Sequence, residues 1–436
     1  MPKTEVNIFW FRRDLRLNDN HGLFQALKSG LPVLPIFIFD KNILEKLEAP
    51  FQIRVQFIHE ALASIHAQLS KVGSGLKIIH ESPLNAFKQL VDEYEVKQVF
   101  TNRDYEGYAI ERDASIADFL QSKGIGFQHF KDQVIFEQLE VTKDDGKPYT
   151  VFTPYSRKWK AAYSLNPPSS YPSEKFKQHF HKQHHDFPSL ESIGFKHQSF
   201  VFPPNEFPSQ IIKNYSTQRD FPAINGTSKL GVHLRFGTIS IRELVRFATD
   251  LNETFLNELI WREFYQSILF NFPYISKGLS FKREYDKIEW RNNEAEFEKW
   301  CQGKTGYPIV DAGMRELSES GFMHNRVRMI VASFLTKHLL IDWRWGEAWF
   351  ASKLMDHDFA ANNGGWQWAA GSGCDAAPYF RVFNPYLQTE KFDKKCVYIR
   401  KWVPEFDSLE YPTPIVQHEF ARKRCLENYS KYLSKD

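Results

Sequence analysis

Cysteine is scarce in this sequence. Cys301, Cys374, Cys396 and Cys425 are the only four in 436 residues, with no Cys-X-X-Cys pair and no regular spacing. That pattern argues against a disulfide framework and a zinc site, and it suits a reducing compartment. Long hydrophobic runs are missing too. Nothing reaches the length needed to cross a bilayer, and the opening MPKTEVNIFWF lacks the basic-then-apolar layout of a secretory leader. A cytoplasmic protein without membrane contact is expected. There is no excess of charge of one sign: 56 Lys and Arg against 53 Asp and Glu leave a formal charge of +3. Any polyanion must therefore be met by a local patch rather than by the field of the whole molecule. No Gly-X-Gly-X-X-Gly follows the first strand signal, so the ordinary dinucleotide fingerprint is absent.

Aromatic residues are abundant instead. Eleven Trp, 18 Tyr and 39 Phe make up 16% of the chain, and nine of the Trp lie after residue 206. Crowding of this kind suits a core packed around a large flat ligand, although a merely Phe-rich core is the commoner cause. Up to residue 130 the apolar runs Val6–Phe11, Val33–Phe39, Leu76–Ile79 and Val99–Thr101 read as buried parallel strands. They alternate with helical stretches at Gln52–Lys71, Leu84–Tyr94 and Ala109–Lys123. This alternation predicts a doubly wound, Rossmann-like α/β domain over 1–130. Residues 131–205 read as a connector, since nine of the 22 prolines fall between Pro148 and Pro208. His179, His181, His184 and His185 in it read as solvated rather than as metal ligands, and no metal is expected. From 206 to 436 strand signals vanish and helical periodicity takes over, which predicts an all-helical domain.

Four segments concentrate chemistry. Gly226-Thr227-Ser228-Lys229-Leu230-Gly231 sets hydroxyls and a lysine before a helix signal, where free N–H groups and the helix dipole favour an anion. Taken alone, a glycine turn with a hydroxyl helix cap is the stronger reading. On a helix, Glu258, Trp261, Arg262 and Tyr265 share one face. A salt-bridged face with one packed Trp is the plain alternative, but two aromatics interleaved with charge better suit a stacking platform for a base. Asn325, Arg328 and Met329 share another face, with Arg326 turned aside, and Arg-X-Arg suits phosphate pairing or a structural ion-pair network. The densest segment runs from Asp356-His357-Asp358 through Asn362-Asn363-Gly364-Gly365 to Trp366-Gln367-Trp368. Its polar groups and bare backbone beside Trp read as a cofactor pocket.

Together with Trp10-Phe11-Arg12-Arg13-Asp14-Leu15-Arg16-Leu17-Asn18-Asp19-Asn20, and with the stretch from Gly303 to Arg315, these segments resemble the photolyase and cryptochrome family along nearly the whole chain. NNGGWQWAA at Asn362–Ala370 is similar to the class I cyclobutane pyrimidine dimer photolyases in particular. The resemblance implies a monomeric enzyme acting on ultraviolet-damaged DNA, by electron transfer from excited reduced FAD to a flipped-out dimer. By likeness, Tyr215, Thr227, Ser228, Lys229, Leu230, Gly231, Phe255, Arg262, Arg328, Asp356, His357 and Asp358 hold FAD in a U-shape, and Asn362 faces flavin N5. The same likeness assigns the dimer pocket to Glu258, Trp261, Arg262, Tyr265, Asn325, Arg326, Met329 and Trp368. Trp261 and Trp368 would wedge the dimer, Glu258 would bond its edge, and Arg219 and Arg326 would hold DNA phosphates. Trp366, Trp343 and Trp290 match an electron relay from flavin to surface.

Tyr105–Ile110 lacks the Asn-Glu pair of folate-binding relatives, so a second antenna chromophore in the first domain stays unidentified. The alternatives are a cryptochrome-type blue-light photoreceptor and a six-four photoproduct photolyase, which normally carries His where this chain has Met329. A flavin dehydrogenase would need the missing fingerprint.

Overall fold

The apolar runs near the N-terminus become a single five-stranded parallel sheet, ordered β3-β2-β1-β4-β5. Its strands are β1 (Glu5–Phe11), β2 (Val33–Asp40), β3 (Lys77–Glu81), β4 (Glu95–Asn102) and β5 (Gly126–Phe130). The computed structural model describes residues 3–47 and 52–433. β2 is buried along its whole length and β1 from its second residue on, as strands covered on both faces must be. Helices Ile53–Ser70, Pro83–Glu93 and Gly107–Ser122 supply the crossovers where the sequence predicts them. β5 was not foreseen: it is an edge strand whose GFQHF sequence is half exposed, so it carries no buried apolar run.

The opening motif at the end of β1 is a buried polar network. Arg16 Nη2 lies 2.8 Å from Asp132 Oδ2, and Arg242 Nη2 lies 2.8 Å from Asp132 Oδ1. Arg242 also reaches Asp19 at 3.1 Å, and Ser240 donates to the same carboxylate. Asn102 donates to Asp14 at 2.6 Å. Buried charges this well paired are bearable where a lone one is not.

The chain divides into two compact units. One holds 1–137, 163–206 and 229–247; the other holds 138–162, 207–228 and 248–436. The stretch read as a connector over 131–205 is thus shared between them, and it contains a helix at Phe152–Leu165. Phe152, Tyr155 and Trp159 stand at i, i+3 and i+7, a helical stripe that the surrounding prolines obscure.

In the helical unit no strand occurs among the described residues. Asn252, Asp342 and Asp358 cap its helices, their side chains accepting from the N–H groups of Phe255, Arg344 and Ala361. The Phe359–Ala370 helix is central and packs against the Glu253–Asn271, Asn325–Ser333 and Trp343–Lys353 helices. Between the last two, the chain makes a π-helical turn over Phe334–His338. Trp300, Trp343 and Trp366 lie in one buried cluster of this unit.

Candidate active site

Where these four helices meet, they enclose a cavity of about 420 Å³. Glu258, Trp261, Arg262 and Tyr265 line it from one helix, and Asn325, Arg328 and Met329 from a second. Asp356 and Asp358 enter from a loop, Asn362, Gly365, Trp366 and Trp368 from the central helix, and Arg219 from a short helical turn. The helical faces read from the sequence are therefore the faces turned to this cavity. Phe350, Leu354 and Ala332 complete its apolar wall.

Other residues singled out in the sequence lie outside the lining. Arg326 pairs with Asp220 at 2.6 Å and lies over the Phe392 ring at 4.4 Å. Tyr215 and Phe255 are buried edge to face, 5.2 Å apart, and Arg219 sits over the Tyr215 ring. Thr227 and Ser228 belong to the helical unit, whereas Lys229, Leu230 and Gly231 belong to the sheet unit. Lys229 takes a positive φ of 54°, and the following six-residue helix has Leu230 at its N-cap, a residue that cannot cap with its side chain. His357 precedes the capping Asp358. Trp343 is buried, while Trp290 is half buried and edge-on to Tyr429 at 6.0 Å.

Charge is arranged around the cavity in pairs. Arg219 Nη1 bonds Glu258 Oε1 and Arg219 Nε lies 4.0 Å from Asp220, so Glu258, Arg219, Asp220 and Arg326 form one alternating chain. Burial pushes the Glu258 carboxyl above its ordinary value, and the Arg219 guanidinium only partly opposes this. Arg328 Nη2 lies 3.1 Å from Asp356 while its Nε donates to the Met323 carbonyl. Asn362 Nδ2 donates to the Glu347 backbone carbonyl at 3.1 Å. The Glu347 side chain accepts from Asn363, which accepts from Gln367 in turn. Burial raises the Glu347 carboxyl above its usual range.

Several neighbours of the lining residues carry no signal in the sequence. Asp220 and Glu347 are ordinary carboxylates by spacing, and Phe152, stacked on Trp261, falls in the stretch read as connector. Trp300 lies 6.0 Å from Trp366 and 6.1 Å from Phe350.

The cavity suits a flat, partly charged cofactor. Gly364 has no room for a side chain, since a Cβ there would stand 2.3 Å from the Tyr265 ring. At Gly365 a Cβ would meet nothing within 4 Å, so bare backbone fronts the cavity. The Asn362 amide oxygen has no protein partner among the described residues, although its nitrogen is held. Arg262 and Arg328 supply positive charge beside the Asp356 and Asp358 carboxylates.

A parallel-sheet unit joined to a helical unit with this cavity defines the class: the chain belongs to the DNA photolyase family. Residues 7–173 match the family described as DNA photolyase, and residues 255–410 match the FAD binding domain of DNA photolyase. The deoxyribodipyrimidine photo-lyase of Halobacterium salinarum is 37% identical, with 98% of this chain and 99% of that one covered. Its Escherichia coli counterpart is also 37% identical, over 97% of this chain and 98% of that one. Among solved structures, a bacterial class III photolyase from Agrobacterium tumefaciens superposes with a TM-score of 0.87 at 35% identity, covering 99% of this chain and 98% of its own. An archaeal photolyase from Sulfolobus tokodaii, solved with two FAD molecules, gives 0.83 at 33% identity, over 98% of this chain and all of its own.

Proposed function

We propose that this chain is a deoxyribodipyrimidine photo-lyase: a FAD-dependent enzyme that splits cyclobutane pyrimidine dimers in DNA under light. The observation that carries this reading is one cavity with two sets of side chains on its walls. Arg262, Arg328, Asp356, Asp358 and Asn362 suit the cofactor, while Glu258, Trp261, Asn325, Met329 and Trp368 suit a flipped pyrimidine pair. Met329 on this wall favours the cyclobutane dimer over the six-four photoproduct.

FAD, when bound, supplies the light-driven electron that opens the cyclobutane ring. The residues of the chain bind and orient. Trp261 and Trp368 offer indole faces to the dimer. Glu258, its carboxyl pKa raised by burial against the pull of Arg219, presents that carboxyl to the pyrimidine edge, where its protonated form would donate to a carbonyl. Arg219 and Arg326 exchange their carboxylate partners for DNA phosphates, which set register without reading sequence. Asn362 is held by its nitrogen, so its oxygen would be left to face a bound flavin. Trp366, Trp343 and Trp290 form the path by which electrons reach the cofactor from the surface. Tyr215, Phe255, Thr227, Ser228 and His357 belong to the same unit as the cavity and are read as the cofactor's further surroundings.

No helix among the described residues is long and apolar enough to cross a membrane. We read the protein as a cytoplasmic monomer with a second light-harvesting chromophore, placed in the sheet unit by this reading; the archaeal structure with two FAD molecules, described as implying a novel light-harvesting cofactor, supports the second chromophore alone. The test is illumination of a thymine-dimer oligonucleotide with the purified yellow or blue protein. Light-dependent loss of dimer is expected. Bound FAD without any repair would reject the reading in favour of a photoreceptor.

A further inference from the structure

One aromatic side chain beside the cavity has no part in the reading above. Phe152 and Trp261 lie face to face, 3.8 Å between ring centroids and 5° from parallel. Trp261 lines the cavity and Phe152 does not. The phenylalanine therefore covers one face of the indole and leaves the other for the cavity. Three contacts fix the helix that carries it. Its Phe152 N–H donates to Asp375 Oδ2 at 3.1 Å, Trp159 Nε1 donates to Glu263 Oε1 at 2.6 Å, and Tyr155 packs on Phe264 at 5.1 Å. Asp375 is a non-glycine residue at φ +48°. That conformation persists only where the surroundings hold it, and such residues gather at binding sites. Asp375 also stands just beyond the Phe359–Ala370 helix, which carries Trp368. The N–H bond thus ties the support of one wedge tryptophan to the element bearing the other.

We propose that Phe152 is a positioning residue for substrate recognition: it presses Trp261 into the orientation that stacks on a flipped pyrimidine, and so sets discrimination between damaged and intact DNA. An indole held flat on one side has its ring angle settled before the dimer arrives, so binding orders less. An aliphatic side chain fills the same space without enforcing that angle.

The proposal rests on the dimer-repair reading, and two arms keep them apart. The first needs no DNA. The near-ultraviolet circular dichroism band of Trp261, obtained as wild type minus Trp261→Phe, should weaken in a Phe152→Leu background and persist in Phe152→Tyr. The second arm measures affinity for a thymine-dimer oligonucleotide and for its intact counterpart. Phe152→Leu should weaken dimer binding by about 2- to 10-fold, leave intact DNA and FAD content unchanged, and keep the repair yield per bound dimer. Phe152→Tyr should restore affinity, and Phe152→Met, a second non-planar side chain, should behave as leucine does. An unchanged Trp261 band, equal weakening for both DNAs, or failure of tyrosine to restore binding would each overturn the proposal. If the wild type itself repairs no dimer, the repair reading falls while the first arm still decides the positioning role.

Discussion

Glu258→Ala removes a carboxylate from two partners at once, and the two losses carry opposite signs. Toward the dimer, a charge-assisted hydrogen bond of this kind is worth about 1.5–3 kcal/mol, or roughly 10- to 150-fold. Only the part made after charge reaches the pyrimidine affects the chemical step, so repair per absorbed photon should fall by a part of that factor, about tenfold at the middle of the range. Toward the protein, the change takes from Arg219, whose side chain is 23% exposed, its close partner Glu258 and leaves it only the longer contact to Asp220 at 4.0 Å. The guanidinium then meets its phosphate without first giving up Glu258, so intact DNA should bind more tightly while the slope of log affinity against log salt, which counts phosphate contacts, stays close to that of the wild type. Glu258→Gln removes the same charge from Arg219 but keeps an N–H donor, so its affinity for intact DNA should match alanine's while part of the yield returns. The pH dependence follows from the same side chain. Burial raises the Glu258 carboxyl pKa against the pull of Arg219, so the wild-type yield should fall as pH rises through that raised value, and the Gln variant should be flat there. The assay pairs binding titrations at several salt concentrations with single-turnover light doses. If Glu258→Ala binds damaged DNA far more weakly yet repairs all that it binds at full yield, the role assigned to this acid is wrong.

Trp290→Phe should abolish photoreduction of oxidised FAD while leaving repair by pre-reduced enzyme nearly intact; equal loss of both would make Trp290 structural. Arg326→Ala should weaken damaged and intact DNA alike and flatten the salt slope by about one unit. Asp220→Asn, which unpairs the same guanidinium, should act in the opposite direction, and a shared direction in the titrations would contradict the exchange of carboxylate for phosphate. Burial alone would raise Asp132, but Arg16 and Arg242 hold it at about 2, below its ordinary 3.8. That contribution, about 2 kcal/mol, is fully present above pH 3.8 and is lost as pH falls through 2. Acid titration of unfolding in Asp132→Asn, set beside the wild type, should show a shallower loss.

The cavity's lining was legible because helical spacing is local. Glu258, Trp261, Arg262 and Tyr265 share a face by arithmetic alone, and the structure turns that face to the cavity. The caps Asn252, Asp342 and Asp358 act through N–H groups two or three residues on, and such contacts are written in neighbouring residues. What stayed hidden depends on partners distant in the chain. Nothing near Phe152 announces Trp261, 109 positions later, and prolines on both sides made its helix read as connector. β5 escaped because an edge strand buries little and so shows no apolar run. The opening motif was plain as a pattern, but its burial follows from Asp132 and Arg242, which no local rule connects to it.

The network beneath that motif also bears on the order in which the molecule is made. Asp19 and Asp132 emerge from the ribosome early, whereas Arg242, which bonds both, follows Asp19 by 223 positions and Asp132 by 110. At about 5–20 residues per second of translation, Asp19 waits roughly 10–45 s for its guanidinium. From residue 130 onward the five strands are all made, yet a carboxylate meant for the interior still has no counter-charge and stays better served by water. The sheet unit therefore closes late, on the arrival of a segment made after 163–206 and after the first two short pieces of the helical unit. A nascent chain arrested before residue 242 should hold its N-terminal third in a loose, protease-sensitive form, and one arrested with that residue clear of the exit tunnel should not.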